Sequence, residues 1–180
     1  MRNVVVMSGV SGSGKSTYAR SADFRKRYLN PGGDWTAVSA DHHFINLDGE
    51  YKFDPAQLSA AHAACFRSFI EALQNAVDLV IVDNTNTTAI EIAPYILGAQ
   101  AFGYHAEVLM LRFKVATHWT NEATVEEMHI QECASRNKHG ADVAAIRRQH
   151  HNTLGMKMAP YWNFSTVPVV LGTSAEEASV

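Results

Sequence analysis

Short apolar runs alternate along the chain with longer stretches in which apolar side chains recur every three or four residues. Val4-Val5-Val6-Met7 is a continuous, mostly β-branched run, the pattern of a central strand buried on both faces. Trp35 to Ala40, Leu79-Val80-Ile81-Val82 and His105 to Phe113 repeat it. Val167 to Leu171 reads as an edge strand, since it carries Pro168. Lys15 to about Tyr28 reads as a helix, broken by Asn30-Pro31-Gly32-Gly33. Asp54-Pro55 offers a capping carboxylate and then proline at the first helical position. From there Leu58, His62, Cys65, Phe66, Phe69 and Leu73 share one face, so this helix runs to about Ala76. Ala89 to Phe102 is another helix, with Pro94 at a bend or restart and Gly103 closing it. About Val125 to Ser135 and Val143 to Leu154 are two more, joined by the polar turn Arg136-Asn137-Lys138-His139-Gly140. His42 to Phe53 shows no clear periodicity and reads as a surface loop.

Strands alternating with helices predict an α/β fold whose parallel sheet is covered on both faces. Residues 1–171 form a single domain on this pattern, and 172–180 a frayed tail. The composition, 47% hydrophobic and 18% charged, is that of a globular chain. A net charge of −3 excludes a globally basic nucleic-acid-coating protein, so a polyanion would need a local patch. Two cysteines are too few for a disulfide scaffold; both read as small buried hydrophobes in a reducing compartment. No window approaches the roughly 18 unbroken apolar residues of a membrane span, and the expected location is cytoplasmic, with no membrane partner.

The most specific chemistry lies between the first strand and the first helix. Gly9-Val10-Ser11-Gly12-Ser13-Gly14-Lys15-Ser16 fits G-x-x-x-x-G-K-[ST] in full, and Thr17 follows. Glycines let successive backbone N–H groups turn inward onto phosphate oxygens, and the positive end of the next helix adds to the attraction. Lys15 then reaches the β- and γ-phosphates of a nucleoside triphosphate, and the Ser16 hydroxyl ligates Mg²⁺. Gly9, Ser11, Gly12, Ser13, Gly14, Lys15, Ser16 and Thr17 are the expected nucleotide-binding set.

In such sheets ligands bind beyond the carboxyl ends of the strands. Asp41 and Asp83 each end a predicted strand. Four apolar residues followed by Asp83 is the pattern whose carboxylate orders Mg²⁺ or its water shell, so Ser16 and Asp83 are the candidate metal residues. Asp41 is the candidate general base for an acceptor hydroxyl, against the blander role of solvated turn residue or helix cap. Arg136, Lys138, His139, Arg147 and Arg148 cluster between the last two helices, as a cationic lid over the triphosphate or as an ordinary basic surface. Arg136 is the chosen lid residue; Arg147 and Arg148 meet either acceptor phosphates or solvent.

These motifs together resemble the P-loop kinases related to phage polynucleotide kinase. The resemblance rests on GVSGSGKST, Ser39-Ala40-Asp41, Asp83-Asn84-Thr85-Asn86-Thr87 and Arg136-Asn137-Lys138-His139-Gly140, and covers roughly residues 3 to 155. It implies a P-loop NTPase fold with about five parallel strands, helices on both faces and a helical lid. It also implies ATP and Mg²⁺ as cofactors, Asp41 as base, Lys15 and Arg136 at the transferred phosphate, and Asp83, Thr85 and Asn86 near metal, phosphates or acceptor. Phage polynucleotide kinase carries an arginine three residues after its catalytic aspartate; here that position is Phe44. The expected acceptor is a hydroxyl on DNA or RNA, either a 5′-hydroxyl or a hydroxymethylated base. Phe44, Tyr51 and Phe53 are then either a stacking surface for a base or loop anchors packed on the core.

Two other functions remain on the sequence: a small-molecule or nucleoside kinase, and a nucleotide-dependent binding module without phosphotransfer. Asn137-Lys138 is followed by His139-Gly140, so no N-K-x-D guanine signature is present. His42-His43 and His150-His151 are adjacent pairs that do not share a helix face, and no Cys/His set has zinc spacing. No metal beyond Mg²⁺ is expected.

Overall fold

In the computed structural model, which describes residues 1–113 and 122–169, five strands form one parallel sheet in the order β2-β3-β1-β4-β5. They are β1 (Asn3–Ser8), β2 (Trp35–Val38), β3 (Leu79–Val82), β4 (His105–Phe113) and β5 (Asn163–Val169). β1 is central. Val5 aligns with Ile81 on one side and Glu107 on the other, and Val6 with Val82 and Val108. Successive side chains point to opposite faces, so a strand covered on both must be apolar throughout. Val4, Val5, Val6 and Met7 are fully buried.

The helices divide between the faces. Val4, Val6, Val80 and Val82 pack against Phe69 of α3 (Leu58–Gln74) and Ile92 and Ile96 of α4 (Ala89–Ala101). Val5, Met7, Ile81 and Leu109 pack against Ala19 of α1 (Lys15–Ala19) and Phe24 and Tyr28 of α2 (Ala22–Tyr28). A third, smaller core joins Val10 to Ile130 and Cys133 of α5 (Glu122–Arg136) and Ile146 of α6 (Val143–Gly155). Among the described residues, no helix is long and apolar enough to cross a membrane.

The helix expected over Lys15 to Tyr28 is two. Ser21 sits in extended conformation and its hydroxyl accepts the Phe24 N–H, capping α2 afresh. Asp54 accepts the Ala56 N–H at 2.9 Å, but Pro55–Gln57 forms a 3₁₀ turn before α3 begins. Pro94 lies inside α4 without ending it. The start of α4 is firmly capped: Thr88 and Glu91 form a reciprocal capping box. β5 begins earlier than the expected Val167 and keeps Pro168 on the sheet edge. The tail predicted over 172–180 lies outside the described residues.

Replacing Thr88 by Ala removes the cap of a helix that already lacks one internal hydrogen bond. It should lower unfolding free energy by about 1 kcal/mol with an unchanged urea m-value. An unaltered denaturation midpoint would show that α4 does not depend on its box.

Candidate active site

The residues of the glycine-rich motif form the loop between β1 and α1. Lys15 is buried, and its ammonium donates to the carbonyls of Gly9 at 3.0 Å and Val10 at 2.8 Å. Burial lowers its pKa to about 8, while the negative charges of Asp83 and Asp41 act to raise it. Those carboxylates therefore lie within electrostatic reach of the loop. Ser13 buries a hydroxyl that has no partner among the described residues. Ser16 and Thr17 are exposed, and Ser16 shares with Asp83 the wall of a cleft of about 280 Å³ that also meets Arg20, Trp35 and His42.

The segment after β3 braces this loop. Asp83 donates its N–H to Val38 at 2.9 Å, and Gly9 donates its own to Thr85 at 2.9 Å. Asn84 is buried: its oxygen accepts the Ala40 N–H at 2.8 Å, and its amide points to Cys65 Sγ and Tyr95 Oη, each at 3.4 Å. Asn86 holds φ at 44°, the left-handed region that asparagine tolerates. Its amide donates to Met7 at 2.8 Å, and its carbonyl accepts from Ser8 Oγ at 2.8 Å. Asn86 was expected near phosphates or acceptor; instead it is a buried strut tying the end of β3 to the end of β1. The half-buried Thr85 contributes its carbonyl to the same bracing.

Asp41 lies in a 3₁₀ turn, Ala40–Phe44, that follows β2. Its N–H donates to Ser39 Oγ at 3.2 Å, and its Oδ1 accepts from Tyr51 Oη at 2.9 Å. Phe44, at the end of the turn, faces inward and is 5% exposed. It belongs to the core shared with α3, with ring centroids 5.0 Å from Phe53 and 6.0 Å from Tyr51. Phe44 is an anchor and not a stacking surface.

α5 and α6 close over the loop. A Cβ on Gly12 would overlap the Cys133 carbonyl oxygen and stand 2.8 Å from its carbon. Gln149 of α6 accepts the Ser11 N–H at 2.9 Å. Nothing in its sequence position marked Gln149, because the partner lies 138 residues away. Arg136 pairs with Glu132 one turn earlier. Arg147 makes two hydrogen bonds to Glu127, at 2.5 and 3.0 Å, and holds that carboxyl down at about 2. Arg147 thus joins α6 to α5, where it was expected to meet acceptor phosphates or solvent. His139 in the intervening turn brings Nε2 to 3.8 Å from Asp41 Oδ2. The cysteines are free and buried, and burial pushes the Cys133 thiol up to about 11, which suits packing and not reactivity. His150 and His151 share the carboxylate of Glu126 at 3.3 and 3.2 Å.

These residues suit a Mg²⁺-nucleotide. The buried Lys15 ammonium and the unpartnered Ser13 hydroxyl offer phosphate a cation and a donor, and a serine hydroxyl that shares a cleft wall with one carboxylate is the sparse protein ligation Mg²⁺ takes next to phosphates.

Comparison with known proteins gives a consistent picture. The profile of the AAA domain family matches residues 4–161. NEDD4-binding protein 2 of Homo sapiens is 30% identical over 174 residues, which is 97% of this chain. The chain spans 8% of that protein's length. A chain of the Pnkp1/Rnl/Hen1 RNA repair complex superposes with a TM-score of 0.54 at 16% identity, over 85% of this chain and 44% of that one. APS kinase CysC of Mycobacterium tuberculosis, solved with AMPPNP and APS, gives 0.53 at 18% identity over 98% and 92%. At these identities the structural likeness is one of fold.

Gly12→Ala tests how α5 is seated. The added methyl has no space and φ there is +79°. We expect α5 and α6 to be displaced from the loop, read as faster amide exchange at Ser11 and along α5. Wild-type exchange in the variant would mean that the helices do not rest on the loop.

Proposed function

Since the chain belongs to the AAA domain family, a family of P-loop kinases, we propose that it is an ATP-dependent phosphotransferase. Its acceptor in this proposal is a hydroxyl on a nucleic acid, a polynucleotide 5′-hydroxyl or a hydroxymethylated base. One observation supports the reading: the segment from Asp83 to Thr85 is hydrogen-bonded both to the phosphate loop, through Gly9, and to the turn bearing Asp41, through Ala40, so Lys15 and the two aspartates are held on neighbouring pieces of chain. Phosphotransfer needs that convergence, with a cation at the donor phosphate, a carboxylate at the metal and a second carboxylate at the acceptor.

In this reading Gly9 to Thr17 wrap the triphosphate, and Ser16 and Asp83 hold Mg²⁺, which when bound neutralises charge on the phosphate oxygens. Asp41 accepts the proton of the acceptor hydroxyl. Arg136 exchanges Glu132 for the phosphates. The cleft beside Asp83 supplies Trp35 and Arg20, an aromatic face and a cation suited to a base and its phosphate.

A small-molecule or nucleoside acceptor is the second reading, and one observation favours it. Phe44 is buried, while Arg136 and Arg147 are paired with Glu132 and Glu127, so neither arginine is free for a phosphate backbone. Transfer of labelled γ-phosphate from ATP separates the two, with 5′-hydroxyl DNA and RNA, hydroxymethylated DNA and free nucleosides as acceptors. Label on nucleosides alone would reject the nucleic-acid reading, and label on nothing would reject phosphotransfer.

Asp41→Asn should cut transfer by about 10² to 10⁴-fold while ATP affinity holds; an unchanged rate would remove Asp41 as the base. Arg136→Ala should slow transfer more than it weakens ATP binding. The lowered pKa of Lys15 sets a pH dependence. A triphosphate binds the charged lysine and raises its pKa, so affinity is full below the free value of about 8. Above it, affinity falls by up to about tenfold per pH unit until the pKa of the complex is reached. Titrations of ATP from about pH 7 to about 9.5 would show this limb. A flat profile would mean that Lys15 does not contact the nucleotide.

A further inference from the structure

The loop that showed no periodicity in the sequence is a tight hairpin with one product. Asn46 organises it: its side-chain oxygen accepts the N–H groups of Asp48 at 3.0 Å and Glu50 at 2.8 Å. Its own N–H donates to the Glu50 carbonyl at 3.0 Å, and Gly49 supplies a φ of 80°. Ile45 and Tyr51 then pair as antiparallel neighbours, and Lys52 donates its N–H to Phe44 at 2.8 Å. Phe44, fixed in the core, meets the edge of the Tyr51 ring. The chain is thus turned back on itself so that Tyr51 donates its hydroxyl to Oδ1 of Asp41 at 2.9 Å.

That bond makes the two oxygens of Asp41 unequal. Oδ1 is engaged. Oδ2 has His139 Nε2 at 3.8 Å, beyond hydrogen-bonding reach, and the Asp41 side chain keeps 42% of its exposure. The His139 ring meets the Tyr51 ring edge-on, with centroids 4.7 Å apart. Oδ2 therefore faces a gap that solvent reaches, bounded by Tyr51 below and by the turn between α5 and α6 above. Desolvation, together with the bond to Asp41, keeps the Tyr51 hydroxyl protonated, so it can donate to the carboxylate.

We propose that Tyr51 is a positioning residue for phosphotransfer: its hydroxyl holds Oδ1 of Asp41 so that Oδ2 alone takes the acceptor's proton, in the gap beside His139. The inference rests on the function proposed above. In the step it serves, the acceptor oxygen forms its bond to the γ-phosphorus as the bond from that phosphorus to the β–γ bridging oxygen breaks. The electron pair leaves with ADP, the acceptor's proton passes to Oδ2, and water later removes it. A carboxylate free to rotate would present either oxygen at varying angles; the tyrosine removes that freedom before the acceptor arrives.

Tyr51→Phe is the test, because it keeps the ring against Phe44 and His139 and deletes only the donor. Transfer is measured on the full chain, with the acceptor that wild type uses, well below the lower of the two melting transitions. Leu47→Ala, at the exposed tip of the same hairpin, controls for disturbance of the loop. We expect kcat to fall by about tenfold to a hundredfold in Tyr51→Phe. Both KM values and the melting temperature should stay close to wild type, and Leu47→Ala should match wild type throughout. An unchanged kcat would reduce Tyr51 to a packing residue and overturn the proposal. A higher acceptor KM at constant kcat would make it an acceptor contact and overturn it equally. No transfer by the wild-type protein to any acceptor would instead defeat the functional reading itself, and this inference with it.

Discussion

An ammonium group buried at the end of the central strand must be given oxygen, and much of the surrounding structure is arranged around that demand. Lys15 takes the carbonyls of Gly9 and Val10. For those carbonyls to point inward the loop must curl tightly, and for the loop to hold its curl it must be fastened from outside. Thr85 fastens Gly9, Asn86 fastens the end of β1, and Gln149 fastens Ser11. Removing a buried charge from water costs several kcal/mol, which the pairing offsets only while this geometry persists. The result is a lysine whose charge is easily lost, and so responsive to an arriving anion.

The run Asp83 to Thr87 divides its labour accordingly. Asp83 lines the cleft, whereas Asn84 and Asn86 are used inside the protein to join three strand ends. Asn84 deserves comparison with Tyr51: one fixes the backbone entering the Asp41 turn, the other fixes the carboxylate leaving it. Together they take a residue on an edge strand's loop and give it the constraint of a core position.

The sheet was largely legible in the sequence. β1 and β3 came directly from their apolar runs, because each is buried on both faces, whereas the edge strand β5 carries polar residues and starts at Asn163, ahead of the expected Val167. The phosphate loop was legible for a similar reason, since few residue types permit its backbone. Side chains whose roles depend on distant partners were not. Phe44 and Tyr51 are both aromatic residues in an unpatterned loop, yet one is core and the other faces Asp41. Asn46 and Gly49 were the available signal, an Asx turn that folds the loop back. Arg136 and Arg147 read as free cations, but Glu132 and Glu127 lie where pairing depends on helix phase and on the packing of α5 against α6. Ser21, unremarkable within a helical stretch, restarts the chain as α2 because its hydroxyl outcompetes continuation of α1.

The contact between Gly12 and Cys133 also limits how the molecule can move. Backbone meets backbone there, with no side chain between to deform, so α5 cannot translate across the loop without collision. Shear, the small sliding that packed helices usually permit, is closed to it. Arg147 and Glu127 couple α6 to α5, so the two helices bear on the loop as a pair. Displacing α5 would thus also loosen the contact that Gln149 of α6 makes with Ser11.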